Sequence, residues 1–334
     1  MKECFILGTR PDVIKFSPLI LKMDPIVINT GQHKELADEA LTIFNICPDY
    51  NLALMAENQT PAEFISKAIV AIEKSIKEIK PDRIWVLGDT STAYAGALVG
   101  FLNKIPVVHV EAGLRSGDIN NPFPEEMFRI CIDRMSSLLF APTYANVMNF
   151  PYHVKEIHIV GNLIVDALNL IKPSLSDVRP TEDPYILMTM HRRENFGQDM
   201  QNVFEVIRDY HLNVVFPAHP NPHVREMAEK VGIKIIEPLK YTEFLWYLKH
   251  CEFVMSDSGG IQEEVPSFNK PILILRKKTE RQEILQTGMA LLTDLTKEDL
   301  LAKIKTISKR TTGSYEKNPF GKGDTADQIM KIIQ

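Results

Sequence analysis

Three carboxylates frame the chemistry this chain could do. Asp89 lies two residues beyond the apolar run Arg83-Ile84-Trp85-Val86-Leu87, and Glu111 directly follows Pro106-Val107-Val108-His109-Val110. Glu125 follows the loop Pro122-Phe123-Pro124. Surface acids usually decorate a solvated helix face, whereas these stand where strands end. Carboxyl groups so placed are candidates for general acid and base, because proton transfer needs a positioned group that can hold and release a proton. Their order in the chain does not say which one removes the proton and which returns it.

A second constellation suits phosphate. Ser258-Gly259-Gly260 follows Phe253-Val254-Met255 through Ser256-Asp257 and opens Ile261-Gln262-Glu263-Glu264, a helix start. Glycines let a backbone approach a phosphate closely, and the open amides of a helix N-terminus supply donors and a positive dipole end. A plain Ser helix cap would look similar on its own. Glu264, one turn in, is placed to accept from a ribose diol. Arg10, Lys15 and Arg281 offer positive charge for a diphosphate, with Arg favoured where planar oxygens are gripped. His191 could donate to phosphate or move a proton. Neither a Walker A pattern nor Gly-x-Gly-x-x-Gly occurs, so NTP hydrolysis and a dinucleotide cofactor are disfavoured. Cys4, Cys47, Cys131 and Cys251 are too scattered for a metal cluster or a redox pair, and read as buried, reduced residues.

These residues need a scaffold, and the sequence supplies one. Phe64, Ile65, Ala68, Ile69, Ile72, Ile76 and Ile79 recur at helical spacing after Pro61, and Pro81-Asp82 ends the run. The strand at 83–87, a helix from Thr90 to Leu102 and the strand at 106–110 follow. The grammar restarts after a Pro-punctuated polar stretch, with apolar runs at 185–190, 214–216, 235–236, 253–255 and 272–275. Strand, helix, strand with doubly buried strands indicates parallel α/β sheets. Six of these strands end in polar or glycine-bearing clusters, and open parallel sheets bind ligands beyond the carboxyl ends of their strands. A shared crevice is therefore expected. His109 ends a strand and reads as a packed, hydrogen-bonded residue. His33, His153, His158, His211 and His250 carry no such context.

The chain has 334 residues, room for two domains of ordinary size. An apolar fraction of 45% and a charged fraction of 24% exclude disorder, collagen and coiled coil. The net charge of -5 leaves no electrostatic footprint for nucleic acid. No long uncharged apolar run suggests a membrane span. Met1 to Gly8 reads as a first strand with no leader before it, and a cytoplasmic location is expected.

The combination resembles the non-hydrolysing UDP-N-acetylglucosamine 2-epimerases. The matching motifs begin with Gly8-Thr9-Arg10-Pro11, Lys15, Thr30-Gly31-Gln32-His33, Gly88-Asp89-Thr90 and His109 to Arg115. They continue through Pro124-Glu125-Glu126, His191 to Asn195, Ser256 to Glu264, Thr279-Glu280-Arg281 and Asn318-Pro319-Phe320-Gly321. They run in family order along essentially the whole chain. The resemblance implies the GT-B architecture: two Rossmann-like parallel-sheet domains facing a central cleft. The expected division is an N-terminal domain over 1–168, a linker over 169–184, a C-terminal domain over 185–315, and a segment over 316–334 whose helix returns to the first domain.

The resemblance further implies that Asp89, Glu111, Glu125 and His191 are catalytic. Arg10, Lys15, His191, Ser258, Gly259, Gly260 and Arg281 would serve the UDP-sugar, Glu264 the ribose, and Phe244 with the Leu239 backbone the uracil. It implies a homodimer whose partners are UDP-N-acetylglucosamine, UDP-N-acetylmannosamine and UDP, with no cofactor and no metal, feeding cell-surface polysaccharides. Elimination of UDP to a 2-acetamidoglucal and re-addition with the proton on the other face is the implied route. Many members are activated by substrate at a second site, which Gln32, Arg192, Glu194 and His219 match here. Glu35 and Asn58 depart from it, standing where Gln and Arg are expected. Asp12, Phe128 and Lys322 depart elsewhere from the usual Glu, Asn and Asp. A hydrolysing epimerase, a GT-B glycosyltransferase and a catalytically silent nucleotide-sugar sensor are the competing readings.

Overall fold

The computed structural model describes residues 1–120, 122–150, 156–310 and 317–334, so His153 lies outside the described residues. Two compact units emerge, one of Met1–Leu170 with Phe320–Gln334 and one of Ile171–Pro319. Each is built on a parallel sheet, as expected for two Rossmann-like domains of the GT-B class.

The first unit carries β1 (Glu3–Leu7), β2 (Ile26–Asn29), β3 (Tyr50–Asn51), β4 (Arg83–Leu87), β5 (Val107–Val110), β6 (Leu138–Ala141) and β7 (Glu156–Ile159) in the order β3-β2-β1-β4-β5-β6-β7. The chain builds outward from β1 to β3, then returns to place β4 on the other side of β1. That reversal is where an open parallel sheet leaves a crevice. β4 shows why the sheet is parallel: Ile84, Trp85, Val86 and Leu87 are all buried, so both faces are covered. Over them lies the helix Pro61–Ile79, whose Phe64, Ala68, Ile72 and Ile76 join Ile6, Ile28 and Val86 in one core. Thr60 and Glu63 form a capping box at its start, satisfying open amides there. The helix Ser91–Leu102 opens on a Thr90 cap.

The second unit holds β8 (Ile186–Thr189), β9 (Val214–Val215), β10 (Val254–Ser256), β11 (Ile272–Ile274) and β12 (Ala290–Leu292) in the order β12-β11-β10-β8-β9. Its reversal point lies between β8 and β10. Ile235-Ile236, read as a strand, contributes only a single bridge from Ile236 to Pro217. The stretch read as a linker packs on this unit from Ile171 onward. Trp246 Nε1 donates to Val178 O at 2.8 Å, and Lys249 Nζ pairs with Asp177 at 2.7 Å.

Cys4 and Cys251 are buried as expected, and burial pushes both thiols up to about 12. Cys47 and Cys131 correct the reading: Cys47 is exposed in the connection from the helix Lys34–Ile43 to β3, and Cys131 is half-buried on the helix Glu125–Met135. Among the described residues no helix is long and apolar enough to cross a membrane.

Candidate active site

In the first unit the candidate residues gather around the β1/β4 reversal. The helix Arg10–Met23 begins immediately after β1, so the Arg10-Pro11-Asp12 cluster is a first helical turn rather than a loop. Gly8 makes the tight entry possible, because a Cβ there would lie 2.2 Å from Thr92 Oγ1 and 2.3 Å from Thr30 Oγ1. Thr9 caps the helix, and Asp12 Oδ2 accepts from the amides of Gly8 and Thr9 at 3.1 and 2.9 Å.

Asp12 is 2% exposed, and burial pushes its carboxyl up to about 7; the bonds from Thr9 and Gly8 oppose the rise, and the nearby Asp89 charge adds to it. A carboxyl whose pKa rises on folding favours the protonated fold. Its stabilising contribution is complete below the ordinary carboxylate range and is lost as pH rises through about 7. Asp12→Asn, whose amide oxygen can still accept from the cap, should therefore flatten the fall in melting temperature between about pH 5 and about pH 8. An unchanged slope would place that pH dependence elsewhere.

Two of the three carboxylates, Glu111 and Asp89, are held by a cation. Glu111 pairs with Lys15 from the helix Arg10–Met23, and both side chains are about nine-tenths buried, at 10% and 8% exposure. Glu111 also has φ 67, a left-handed backbone that a non-glycine residue adopts at a cost. The chain leaves β5 at this residue, and its side chain meets Lys15. Lys15, read as a diphosphate cation, is thus brought against a catalytic candidate. Asp89, 30% exposed at its side chain, is gripped by Arg129, with Nε at 3.1 Å and Nη2 closer still. Arg129 Nη1 bonds Glu126 Oε2 at 2.8 Å, and Glu126 in turn accepts from the amides of Ser116 and Gly117. Glu125 is the first residue of the helix Glu125–Met135 and is half-buried.

Arg129 escaped the sequence reading although a signal existed. It stands three residues after Glu126 and four after Glu125 on a helix, the spacing that stacks charges on one face. His109 behaves as expected, with Nδ1 on Asp133 at 2.6 Å and Nε2 on Gly88 O at 2.8 Å. His33 has more context than expected, since its amide donates to Gly8 O at 2.7 Å and burial, then the Arg10 charge, lowers its imidazole pKa.

The second unit gathers the phosphate candidates at its own reversal point. His191 follows β8 and Ser258 follows β10. Ser258-Gly259-Gly260 does open a helix, Gly259–Glu264, with Ser258 as cap residue and no side-chain cap bond. The two glycines differ in purpose. A Cβ on Gly259 would lie 2.7 Å from Arg281 Nη1, whereas Gly260 has nothing within 4 Å. Gly259 therefore lies against the Arg281 guanidinium, and Gly260 borders open space.

Arg281 is engaged with Glu263 at 2.6 Å and with Glu280. Burial works against the Glu280 charge, but Arg281, Arg276 and Arg192 around it hold its carboxyl well below the usual range. Arg192 and Glu194 join the same network, through Arg192 Nη2 to Glu280 at 4.0 Å and Arg276 Nε to Glu194 at 3.4 Å. Glu264, 8% exposed, accepts from the Tyr241 hydroxyl at 2.9 Å. Tyr241 begins the helix Tyr241–His250, which also carries Phe244, half-buried; Leu239 lies just before it. No local pattern pointed to Tyr241, since its partner is distant in sequence.

Of the second-site residues, Gln32 Oε1 accepts from Thr92 N and Oγ1 at 3.1 and 2.8 Å in the first unit. His219 stacks on His191 at 5.3 Å in the second. Glu35 is exposed in the first turn of the helix Lys34–Ile43, and Asn58 is exposed with φ 56. Phe128 stacks on Tyr94 at 5.0 Å, and Lys322 is exposed.

The role of Gly260 is testable. Gly260→Val should lower UDP affinity by about tenfold or more with the melting temperature held, because only a close ligand meets the added side chain. Gly259→Val should cost stability as well, through displaced Arg281. Equal affinity of Gly260→Val and the parent for UDP, by calorimetry, would remove Gly260 from the binding surface.

Known proteins resemble this chain along its length. The family model described as UDP-N-acetylglucosamine 2-epimerase matches residues 21–334. The UDP-N-acetylglucosamine 2-epimerase of Bacillus subtilis (strain 168) is 38% identical over 362 residues, spanning 100% of this chain and 95% of its own. The crystal structure of UDP-GlcNAc 2-epimerase from Neisseria meningitidis bound to UDP-GlcNAc is similar with a TM-score of 0.90 at 32% identity, covering 100% of this chain and 99% of that one. The Methanocaldococcus jannaschii UDP-GlcNAc 2-epimerase in complex with UDP-GlcNAc and UDP gives a TM-score of 0.85 at 35% identity, covering 100% and 99%.

Proposed function

This chain belongs to the UDP-N-acetylglucosamine 2-epimerase family, and from that premise we propose that it interconverts UDP-N-acetylglucosamine and UDP-N-acetylmannosamine by eliminating and re-adding UDP. The observation that carries the reading is Glu111, a strained-backbone carboxylate held against a buried lysine at the end of β5. Sparsely populated backbone conformations cluster at functional sites, and the buried ammonium holds this carboxylate in one place for proton transfer.

Carbon 2 bears an amide and no adjacent carbonyl, so a proton there is not acidic enough for simple exchange. Loss of UDP makes its removal productive. A carboxylate takes the carbon 2 proton, the carbon 1–oxygen bond breaks, and its electron pair leaves with UDP. Return of UDP to the glucal, with a proton delivered to the opposite face, inverts carbon 2. Asp89, Glu111 and Glu125 provide the acid and base groups. Arg10, His191, Arg281 and the amides of Ser258, Gly259 and Gly260 stabilise the departing diphosphate. Glu264 takes the ribose, and Phe244 with the Leu239 backbone takes the uracil. No nicotinamide or metal takes part. The protein works as a cytoplasmic homodimer supplying cell-surface polysaccharide synthesis.

Proton NMR of UDP-N-acetylglucosamine with the protein in deuterated water tests this. The expected result is a mixture of both epimers with deuterium at carbon 2 of the product. Free N-acetylmannosamine with UDP would mean a hydrolysing epimerase, and unchanged substrate would mean a sensor. Product without solvent label would defeat the elimination route.

The second site favours weak substrate activation. Glu35 adds an anion and Asn58 omits a cation where an anionic effector would bind. Exposed charge contacts are worth about 0.2–1 kcal/mol each, so the two changes together cost roughly tenfold in affinity. UDP-N-acetylmannosamine alone should therefore be converted without a lag. A lag abolished by a little UDP-N-acetylglucosamine would show the site still working. Glu35→Gln is the cleaner restoration, because Asn58 occupies a left-handed backbone that an Arg would enter at a cost.

A further inference from the structure

The buried carboxylate of Asp257 takes no part in the proton transfers, yet it touches the loop that carries His191. Asp257 is 0% exposed and lies two residues beyond Met255, at the end of β10, beside the end of β8. Its Oδ2 accepts three donors: the amides of His191 and Arg192 at 2.9 and 2.8 Å, and Asn195 Nδ2 at 3.0 Å. Its Oδ1 lies 3.4 Å from His191 Nδ1 and accepts no hydrogen bond. Asn195 is itself tied to Leu275 O at 3.1 Å, and Arg192 Nε reaches back to the Asp257 carbonyl at 2.8 Å. One carboxylate thus fixes the backbone on which His191 stands and faces one nitrogen of its ring.

We propose that Asp257 is a positioning residue for His191, holding the proton of the ring on Nδ1 and turning Nε2 to the diphosphate of the nucleotide. The inference rests on the epimerase reading for its purpose. A ring whose Nδ1–H is taken by a carboxylate has a set tautomer, and its other nitrogen is the one left for a ligand. When Nε2 also carries a proton, the ring is a cation with Asp257 as its buried counter-charge. That cation meets the negative charge growing on the diphosphate oxygen as the carbon 1–oxygen bond breaks, and a charge-assisted bond is about twice as strong as a neutral one. Among the described residues, His219 stacks on the ring at 5.3 Å and Arg192 is next in the chain. Neither offers an acceptor fixed on Nδ1: His219 Nδ1 already accepts from the Asn221 amide at 3.1 Å, and Arg192 has only donors.

Asp257→Asn is the informative variant because its geometry is forced. Three donors converge on the Oδ2 position, so the amide oxygen must lie there and the NH2 group must face Nδ1. The loop stays in place while the proton moves from Nδ1 to Nε2, and the ring keeps a neutral donor toward the ligand. Turnover should fall by about tenfold or more with UDP affinity within about threefold, the pattern of an interaction that strengthens only in the transition state. Placed on a His191→Gln background, Asp257→Asn should lower turnover no further. Long-range nitrogen-15 NMR of the His191 ring, assigned through the His191→Gln spectrum, should show Nδ1 protonated in the neutral ring of the parent protein. That measurement needs no folded variant at Asp257. A proton on Nε2 in the parent, or parental turnover in a folded Asp257→Asn protein, overturns the proposal. A parent protein that binds UDP but turns over no sugar refutes the epimerase reading instead, and the ring signal then decides the positioning by itself.

Discussion

Glu111→Gln should lower epimerisation by about 10²-fold or more while UDP affinity stays near that of the parent. The amide keeps the shape of the side chain and the left-handed backbone at φ 67, and its oxygen can still accept from Lys15. What disappears is a proton-transfer group and one negative charge beside a buried ammonium. Loss of charge in a pair this buried also costs stability, on the order of 1–3 kcal/mol. The melting temperature should fall measurably, and rates must be compared well below it. The residues assigned to the nucleotide lie mainly in the second unit, so calorimetry with UDP separates lost chemistry from lost binding. Near-parental turnover in a folded Glu111→Gln protein would make Lys15–Glu111 a structural pair and leave Asp89 and Glu125 to share the proton transfers. Lys15→Met should then be read beside it: a similar loss of rate follows if the ammonium tunes the carboxylate.

What the sequence disclosed depended on how local each signal was. Ile84 to Leu87 and Ile186 to Met188 are unbroken apolar runs, because both faces of a parallel strand are covered, and β4 and β8 fall there. The helix Pro61–Ile79 was legible from its stripe and its proline start. β3 and β12 were not, since strands of two and three residues carry no periodicity to detect. Ile235-Ile236 looked like a strand by composition, yet only Ile236 bridges, to Pro217, beyond the two-residue β9. The same limit applies to the site. Strand-end positions exposed Asp89, Glu111 and His191 as candidates. Their holders were another matter: Lys15 was read for phosphate and pairs with a residue 96 positions away, and Asp257 binds a loop 66 positions earlier. Partners at such separations leave no spacing to read. Gly259 shows the same limit, since the Arg281 guanidinium packed against it comes from a distant stretch of the chain.

Asp89 and Arg129 should separate catalysis from folding more sharply than any other pair. Asp89 is 30% exposed at its side chain, so Asp89→Asn removes an acid–base group and one charge facing Arg129, which keeps Glu126 as its buried counter-charge. Turnover should fall by about 10²-fold or more with a nearly unchanged melting temperature. Arg129 is 4% exposed and binds both Asp89 and Glu126, the latter only 2% exposed. Arg129→Leu strips the guanidinium from a buried carboxylate, and removing one partner of a buried pair costs roughly 3–5 kcal/mol. The amides of Ser116 and Gly117 still donate to Glu126, which holds the loss toward the lower end. Arg129→Leu should therefore lose both activity and several degrees of stability. Adding Glu126→Gln should recover part of the stability, because the buried charge goes with it, and none of the turnover, because Asp89 remains unheld. Recovery of turnover in the double variant would mean that Arg129 serves the fold alone and that Asp89 works without it.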